Sequence, residues 1–261
     1  MILRRIADAI REQNWFTVII EILIVVIGIF LGLQVTEWGQ ERQNRERERE
    51  YLQRVAQDLD QDYTQLIAAT KFANFRGNEA KYLLNSRDFN TVDPCRFVYS
   101  LFTSVFFLVP TMARQTFDEM VSSGGLTLIQ NNVVKDAMGK YYAYERQLEY
   151  AHENVSTMSH STVAANVPYI SVEWSRMTTD TALLMTLSNA TSIDDYPETC
   201  EVMPMDKIIE RHTQYWENPE VSGWVGPLSS VHAVVAGNLS YAATLNRQAH
   251  ALVLNEMGEA P

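Results

Sequence analysis

Thr17–Trp38 reads "TVIIEILIVVIGIFLGLQVTEW", and the reading of this stretch decides the architecture of everything after it. Between Thr17 and Val35 only Glu21 carries a charge. At about 1.5 Å per residue, a helix of that length covers the roughly 30 Å of a hydrocarbon core. A secretory signal has a shorter apolar centre and ends at a small-x-small cleavage site. Here the run passes into "LGLQVTEWGQERQ", with no Ala-x-Ala pattern, and Trp15, Phe16 and Trp38 sit where interfacial aromatic belts form. The stretch therefore reads as an uncleaved transmembrane helix over residues 16–38.

Placed on a helical wheel, Thr17, Glu21, Gly28, Gly32, Thr36 and Gly39 recur at steps of three, four or seven. Ile19, Leu23, Val26, Phe30 and Leu33 occupy the opposite side. "GIFLG" is a small-xxx-small pair, which lets two helix backbones approach closely. A carboxylate in lipid has to face a partner, stay protonated or reach the headgroups. Its place beside the glycines favours a self-association face formed by Thr17, Glu21, Gly28 and Gly32. The alternative is a snorkelling Glu21 with incidental glycines.

Residues 1–15 read as an amphipathic helix, with Ile2, Leu3, Ile6 and Ile10 on one side. Arg4, Arg5 and Arg11 precede the span, while Arg42, Arg45, Arg47 and Arg49 follow it among Glu41, Glu46, Glu48 and Glu50. Counting Lys and Arg alone does not choose an orientation. An amphipathic helix on the inner leaflet and an acid-balanced downstream stretch give the expectation of a cytoplasmic N-terminus and a periplasmic main domain.

The chain has 261 residues, of which 46% are hydrophobic and 20% charged, so the part after the span can bury one sizeable core. The net charge is −11, and almost all of it lies beyond Trp38. A surface that acidic, with no basic stripe, argues against nucleic-acid binding. The two cysteines, Cys95 in "TVDPCRF" and Cys200 in "YPETCEVM", lie in turn-like contexts. In an exported domain they can form one disulfide; the other reading is two free thiols.

No proline falls between Gln34 and Asn85, and "QERQNREREREYLQRVAQDLDQDYTQLIAAT" is rich in helix formers. Leu52, Val55, Leu59, Tyr63 and Leu66 recur as on one face of an amphipathic helix, so the span is expected to continue into the soluble domain. "CRFVYSLFTSVFFLV" is too short for a second crossing and reads as a core helix. "TFDEMVSSGGLTLIQNN" gives a short helix ended at Gly124 and Gly125, and another helix follows over about 132–153. The middle, about 159–204, lacks periodicity and obvious strand pairs. Asp206 is expected to cap "KIIERHTQYWE", and "NPEVSGWVGP" to form a loop. A last helix over 228–257 carries the stripe Leu228, Val231, Val235, Leu239, Ala242, Leu245, Ala249 and Leu252. The fold expected is mostly α: one transmembrane helix continuing into an antiparallel helical bundle, residues 39–261, with irregular connections.

"EILIVVIGIFLGLQVTEWGQERQNRERERE" with "YLQRVAQDL" resembles the N-terminal signature of a family of uncharacterised bacterial single-pass membrane proteins. "TFDEMVSSGGLTLIQNNVVKDAMGKYYAY" resembles the second marker of that family. The resemblance implies an anchored protein of bacterial origin and supplies no catalytic residues.

For chemistry, Glu149 and His152 have the Glu-x-x-His spacing of di-iron carboxylate bundles, with Glu145 one turn earlier. A second such pair is missing from the sequence, so a polar stripe is the favoured reading over a metal site. His160, His212, His232 and His250 show no ligand spacing. "SSGGLTL" has neither a Gly-x-Ser-x-Gly elbow nor the ending of a phosphate loop, which leaves Ser122 and Ser123 poor nucleophiles. Tyr141, Tyr142, Tyr144 and Tyr150 spread around one helix, as core plus surface residues do. The sequence thus leads to a non-enzymatic membrane-anchored protein without cofactor, which self-associates or joins a larger membrane assembly. The rival readings are a periplasmic ligand-sensing bundle that signals through a partner and, third, a metal-dependent enzyme.

Overall fold

A computed structural model describes residues 15–108, 110–148, 150–151, 181–197 and 204–259. Among them there is no strand. The fold is mostly α, with one N-terminal helix long and apolar enough to cross a membrane. Helix α1 runs Trp15–Leu84. It contributes to two compact units that divide between Tyr51 and Leu52.

In the first unit, every described side chain from Ile19 to Gln43 is exposed. The most apolar 18-residue window reaches a mean hydropathy of 2.5, and none of it is buried within the protein. Helices apolar on all sides suit either a protein core or a membrane span. Beyond it, Arg42–Glu46 at 3.3 Å and Arg45–Glu41 at 3.7 Å pair across one turn, as the alternating charges predict.

In the second unit, the remainder of α1 buries Leu52, Val55, Leu59, Leu66, Ala69, Ala73, Ala80 and Leu83, at steps of three, four and seven. Each fully buried leucine contributes roughly 1.5–3 kcal/mol. Helix α2, Pro94–Thr103, starts where Asp93 accepts the Arg96 amide at 2.9 Å and Pro94 takes the first position. It was expected to continue toward Pro110. It stops at Thr103, and the Ser104 carbonyl instead accepts His232 Nε2 at 2.7 Å. Helix α3, Gln115–Ser123, ends at Gly124, whose φ of +76° favours glycine. Helix α4 covers 132–148.

Helix α5, Thr181–Asn189, falls in the stretch that sequence patterning left without an element. A 3₁₀ turn follows at Ile193–Asp195, held by a capping box between Ser192 and Asp195. Helix α6, Met205–Glu217, has Pro204 at its N-cap, so Asp206 lies inside the first turn rather than capping it. The expected loop holds a short helix α7, Pro219–Ser222, and α8, Val225–Met257, begins before Leu228. Pro227 is tolerated there because it lies in a first turn, where no intrahelical N–H bond is lost.

The register between helices follows from four hydrogen bonds. Ser229 Oγ donates to the Gly77 carbonyl at 3.5 Å, and Asn246 Nδ2 donates to the Leu59 carbonyl at 2.9 Å, so α8 runs antiparallel to α1. A Cβ on Gly77 would lie 3.2 Å from the His232 Cβ, which makes the glycine a condition of this close approach. Likewise Asn131 Nδ2 donates to Glu256 at 2.7 Å while Tyr144 OH donates to Asn238 at 3.4 Å, so α4 and α8 are also antiparallel. A second apolar cluster gathers Phe97, Val98, Ile208, Tyr215, Trp224 and Val225 from α2, α6 and α8.

Candidate functional site

Of the predicted association face, Glu21, Gly28 and Gly32 are exposed; the Thr17 side chain lies outside the described residues. A methyl group added at Gly28 or Gly32 would meet nothing within 4 Å. Neither glycine is therefore explained by packing within the chain. Thr36 Oγ1 donates to the Gly32 carbonyl at 2.9 Å, which satisfies the hydroxyl without water. The result is a helix face of small residues on which the Thr36 hydroxyl is already paired.

The second unit holds two polar clusters inside its core. The first centres on Glu79, which is fully buried. Arg96 grips its carboxylate with Nη2 at 2.8 Å and Nε at 3.3 Å. Ser100 Oγ at 2.6 Å and Tyr196 OH at 3.1 Å donate to the same carboxylate. With four donors in place Glu79 is a structural acceptor, not a free base. One turn earlier, Arg76 is also fully buried and lies over the Phe72 ring at 4.2 Å. Its Nη2 donates to the Leu187 and Ser188 carbonyls at 2.8 and 3.0 Å, fastening α5 to α1. Burial pushes the Arg76 guanidinium down to about 10, which still leaves it charged. His232, stacked on Phe107 at 4.2 Å, is pushed down to about 4 by burial and, secondarily, by Arg76. Because its Nε2 faces a carbonyl, that nitrogen carries the proton of the neutral ring.

The second cluster centres on Asp62, also fully buried. It accepts the Ala113 amide at 2.6 Å and Tyr141 OH at 2.7 Å, and so ties the connection before α3 to α1 and α4. Burial raises its carboxyl to about 6, and the neighbouring Asp58 and Glu145 charges push the same way. The Tyr141 and Tyr142 hydroxyls are pushed up by burial beside these carboxylates and stay protonated.

Glu145, one of the three weak metal candidates, is buried and pairs with Arg114, which also holds Asp118 at 3.0 Å. Glu149 and His152 lie outside the described residues. Among the described residues, no group of three or more His, Cys, Asp or Glu is arranged to hold a metal ion. Cys95 is disulfide-bonded and sits in the first turn of α2 rather than in a turn; Cys200 lies outside the described residues. Tyr141 and Tyr142 are buried and Tyr150 is 70% exposed, the division into core and surface that their spread around α4 implies.

Sequence reasoning missed Arg76 and Glu79, whose partners come from other elements of the chain. It also missed Asp62, whose phenol partner is 79 residues away. No family model, curated protein or solved structure matches the chain, so function has to be read from these residues.

Proposed function

We propose that this chain is a non-enzymatic, membrane-anchored helical protein that self-associates through its transmembrane helix and serves as a subunit or scaffold of a larger membrane assembly. The observation that carries this reading is the state of residues 19–38. They form a helix with no burial inside the protein, and Gly28 and Gly32 face open space beside Glu21. Lipid supplies no hydrophobic drive between helices, so close backbone approach at small residues and a shared polar group are what favour pairing. The polar clusters of the domain support a non-enzymatic reading. The Glu79 carboxylate is saturated, and Glu145 is committed to Arg114.

In this reading the N-terminus is cytoplasmic and the domain periplasmic, in the inner membrane of a bacterium. The disulfide at Cys95 supports export, because such bonds persist in oxidising compartments, and Cys200 is its proposed partner as the only other cysteine in the sequence. Blue-native electrophoresis of detergent-extracted membranes tests self-association. A species larger than the monomer is expected, and its conversion to monomer by Gly28→Leu or Gly32→Leu. A monomer for the unaltered chain, or an oligomer indifferent to both substitutions, contradicts the reading. Peptide mapping without reductant tests the Cys95–Cys200 bond.

A further inference from the structure

A groove of about 580 Å³ opens beside α3 and α4, a size usual for small-molecule sites. One wall is aromatic: Phe117 stacks on Tyr142 with ring centres 4.2 Å apart, and Tyr150 adds a third, largely exposed ring. The floor is made by Gly139 and, one turn later, Ala143. Glycine in a helix interior is roughly 0.5–1 kcal/mol worse than alanine. A Cβ at Gly139 would meet nothing within 4 Å, so packing within the chain does not require the glycine. It does keep the groove deep.

The groove is also electrostatically unusual for a chain of net charge −11: among the described residues Arg114 and Arg146 line it and no carboxylate does. The two guanidiniums are not equivalent. Arg114 is occupied by Asp118, Glu145 and the Tyr142 carbonyl. Arg146 is exposed and forms no ion pair among the described residues. One uncommitted fork suits a singly charged, planar anion, because a carboxylate matches guanidinium geometry with two parallel bonds. The aromatic wall suits an apolar body attached to it.

The geometry points to a binding site for a small amphipathic carboxylate. Its apolar body lies along Phe117, Tyr142 and Tyr150 over the Gly139–Ala143 floor, and its carboxylate meets Arg146. The site belongs to a single copy of the domain and does not depend on self-association. It gives the domain a ligand-sensing capacity in addition to its anchoring role.

The test uses the full-length chain in phosphatidylcholine nanodiscs, with empty nanodiscs as the blank. Ligand-observed NMR titrations are run with cinnamate, 4-phenylbutyrate and octanoate, and with cinnamyl alcohol as the uncharged control. Saturable binding of at least one carboxylate is expected. Arg146→Gln should weaken it at least tenfold, and cinnamyl alcohol should bind at least tenfold more weakly than cinnamate. Gly139→Leu projects a side chain into the groove from a position where an added Cβ meets nothing within 4 Å, so it should abolish binding while leaving the melting temperature unchanged or higher. Absence of saturable binding by all three carboxylates overturns the proposal. So does binding that Gly139→Leu or Arg146→Gln leaves intact, or equal binding of the alcohol.

Discussion

Residues 19–38 and 59–83 belong to the same helix, and their side chains follow opposite rules. In the first stretch the apolar residues are exposed all round, and the one carboxylate, Glu21, is exposed with them. In the second, leucines and alanines are buried along one face, and Asp62, Arg76 and Glu79 are buried with them. Helical hydrogen bonding is common to both, so it does not explain the difference. What differs is how polar groups are satisfied. The apolar stretch pairs its hydroxyl with its own backbone, as Thr36 does with Gly32. The domain stretch relies on side chains delivered from other helices, as Arg96 and Ser100 of α2 are delivered to Glu79. The first kind of stretch tolerates substitution unless a partner helix covers it; the second does not.

The largest effect that separates the two is expected at Glu79. Glu79→Ala leaves Arg96 without its carboxylate and removes the acceptor of Ser100 and Tyr196. A loss of about 3–5 kcal/mol is expected in chemical denaturation of the detergent-solubilised protein, as for other broken buried ion pairs. A loss below about 1 kcal/mol would show that the cluster is solvated.

Little of this contrast was legible in advance. The continuous helix was, because no proline interrupts it and its apolar residues keep a helical period from Leu52 onward. The α8 stripe was too, since Leu239, Ala242 and Ala249 are buried where the spacing puts them. Helix α5 was not, because its nine residues are too few to set a usable period. Its position depends on Arg76, which donates to its last carbonyls from 111 residues away. Glu145 stood out in the sequence for its spacing to Glu149, yet the residue it meets is Arg114, which no local pattern announces. Polar pairs of this kind form only once the helices have packed.

The next effect is pH-dependent, with two opposing contributions. Asp62 rises from 3.8 to about 6 in the folded protein. Its contribution to stability is full below about pH 4 and is lost as pH rises through about 6, by about 3 kcal/mol. His232 falls from 6.5 to about 4. Its contribution is full above about pH 6.5 and is lost as pH falls through about 4, again by about 3 kcal/mol. These two groups therefore nearly cancel between pH 4 and 6.5. Asp62→Asn removes one side of the balance, so the variant should lose stability on acidification over that window more steeply than the parent chain. Thermal melts at half-unit pH intervals check this, and parallel curves for the two proteins would refute it.

The smallest stability effect is expected between the two stretches. Arg42→Gln breaks only the exposed pair with Glu46, and a change within about 0.5 kcal/mol is expected from the same denaturation assay. A larger loss would mean that the charged segment is covered in the assembled protein.

Substitutions on the apolar stretch should leave domain unfolding untouched and change association instead, which makes position-resolved crosslinking the most direct test of the central claim. Single cysteines placed in turn from Ile19 to Thr36 are oxidised in native membranes, and dimers are read by mass on non-reducing gels. The account predicts a helical periodicity in dimer yield, with maxima at Glu21→Cys, Gly28→Cys and Gly32→Cys and minima at Leu23→Cys, Val26→Cys and Phe30→Cys. A uniform yield along the helix, or maxima on the Leu23–Val26–Phe30 side, would contradict it.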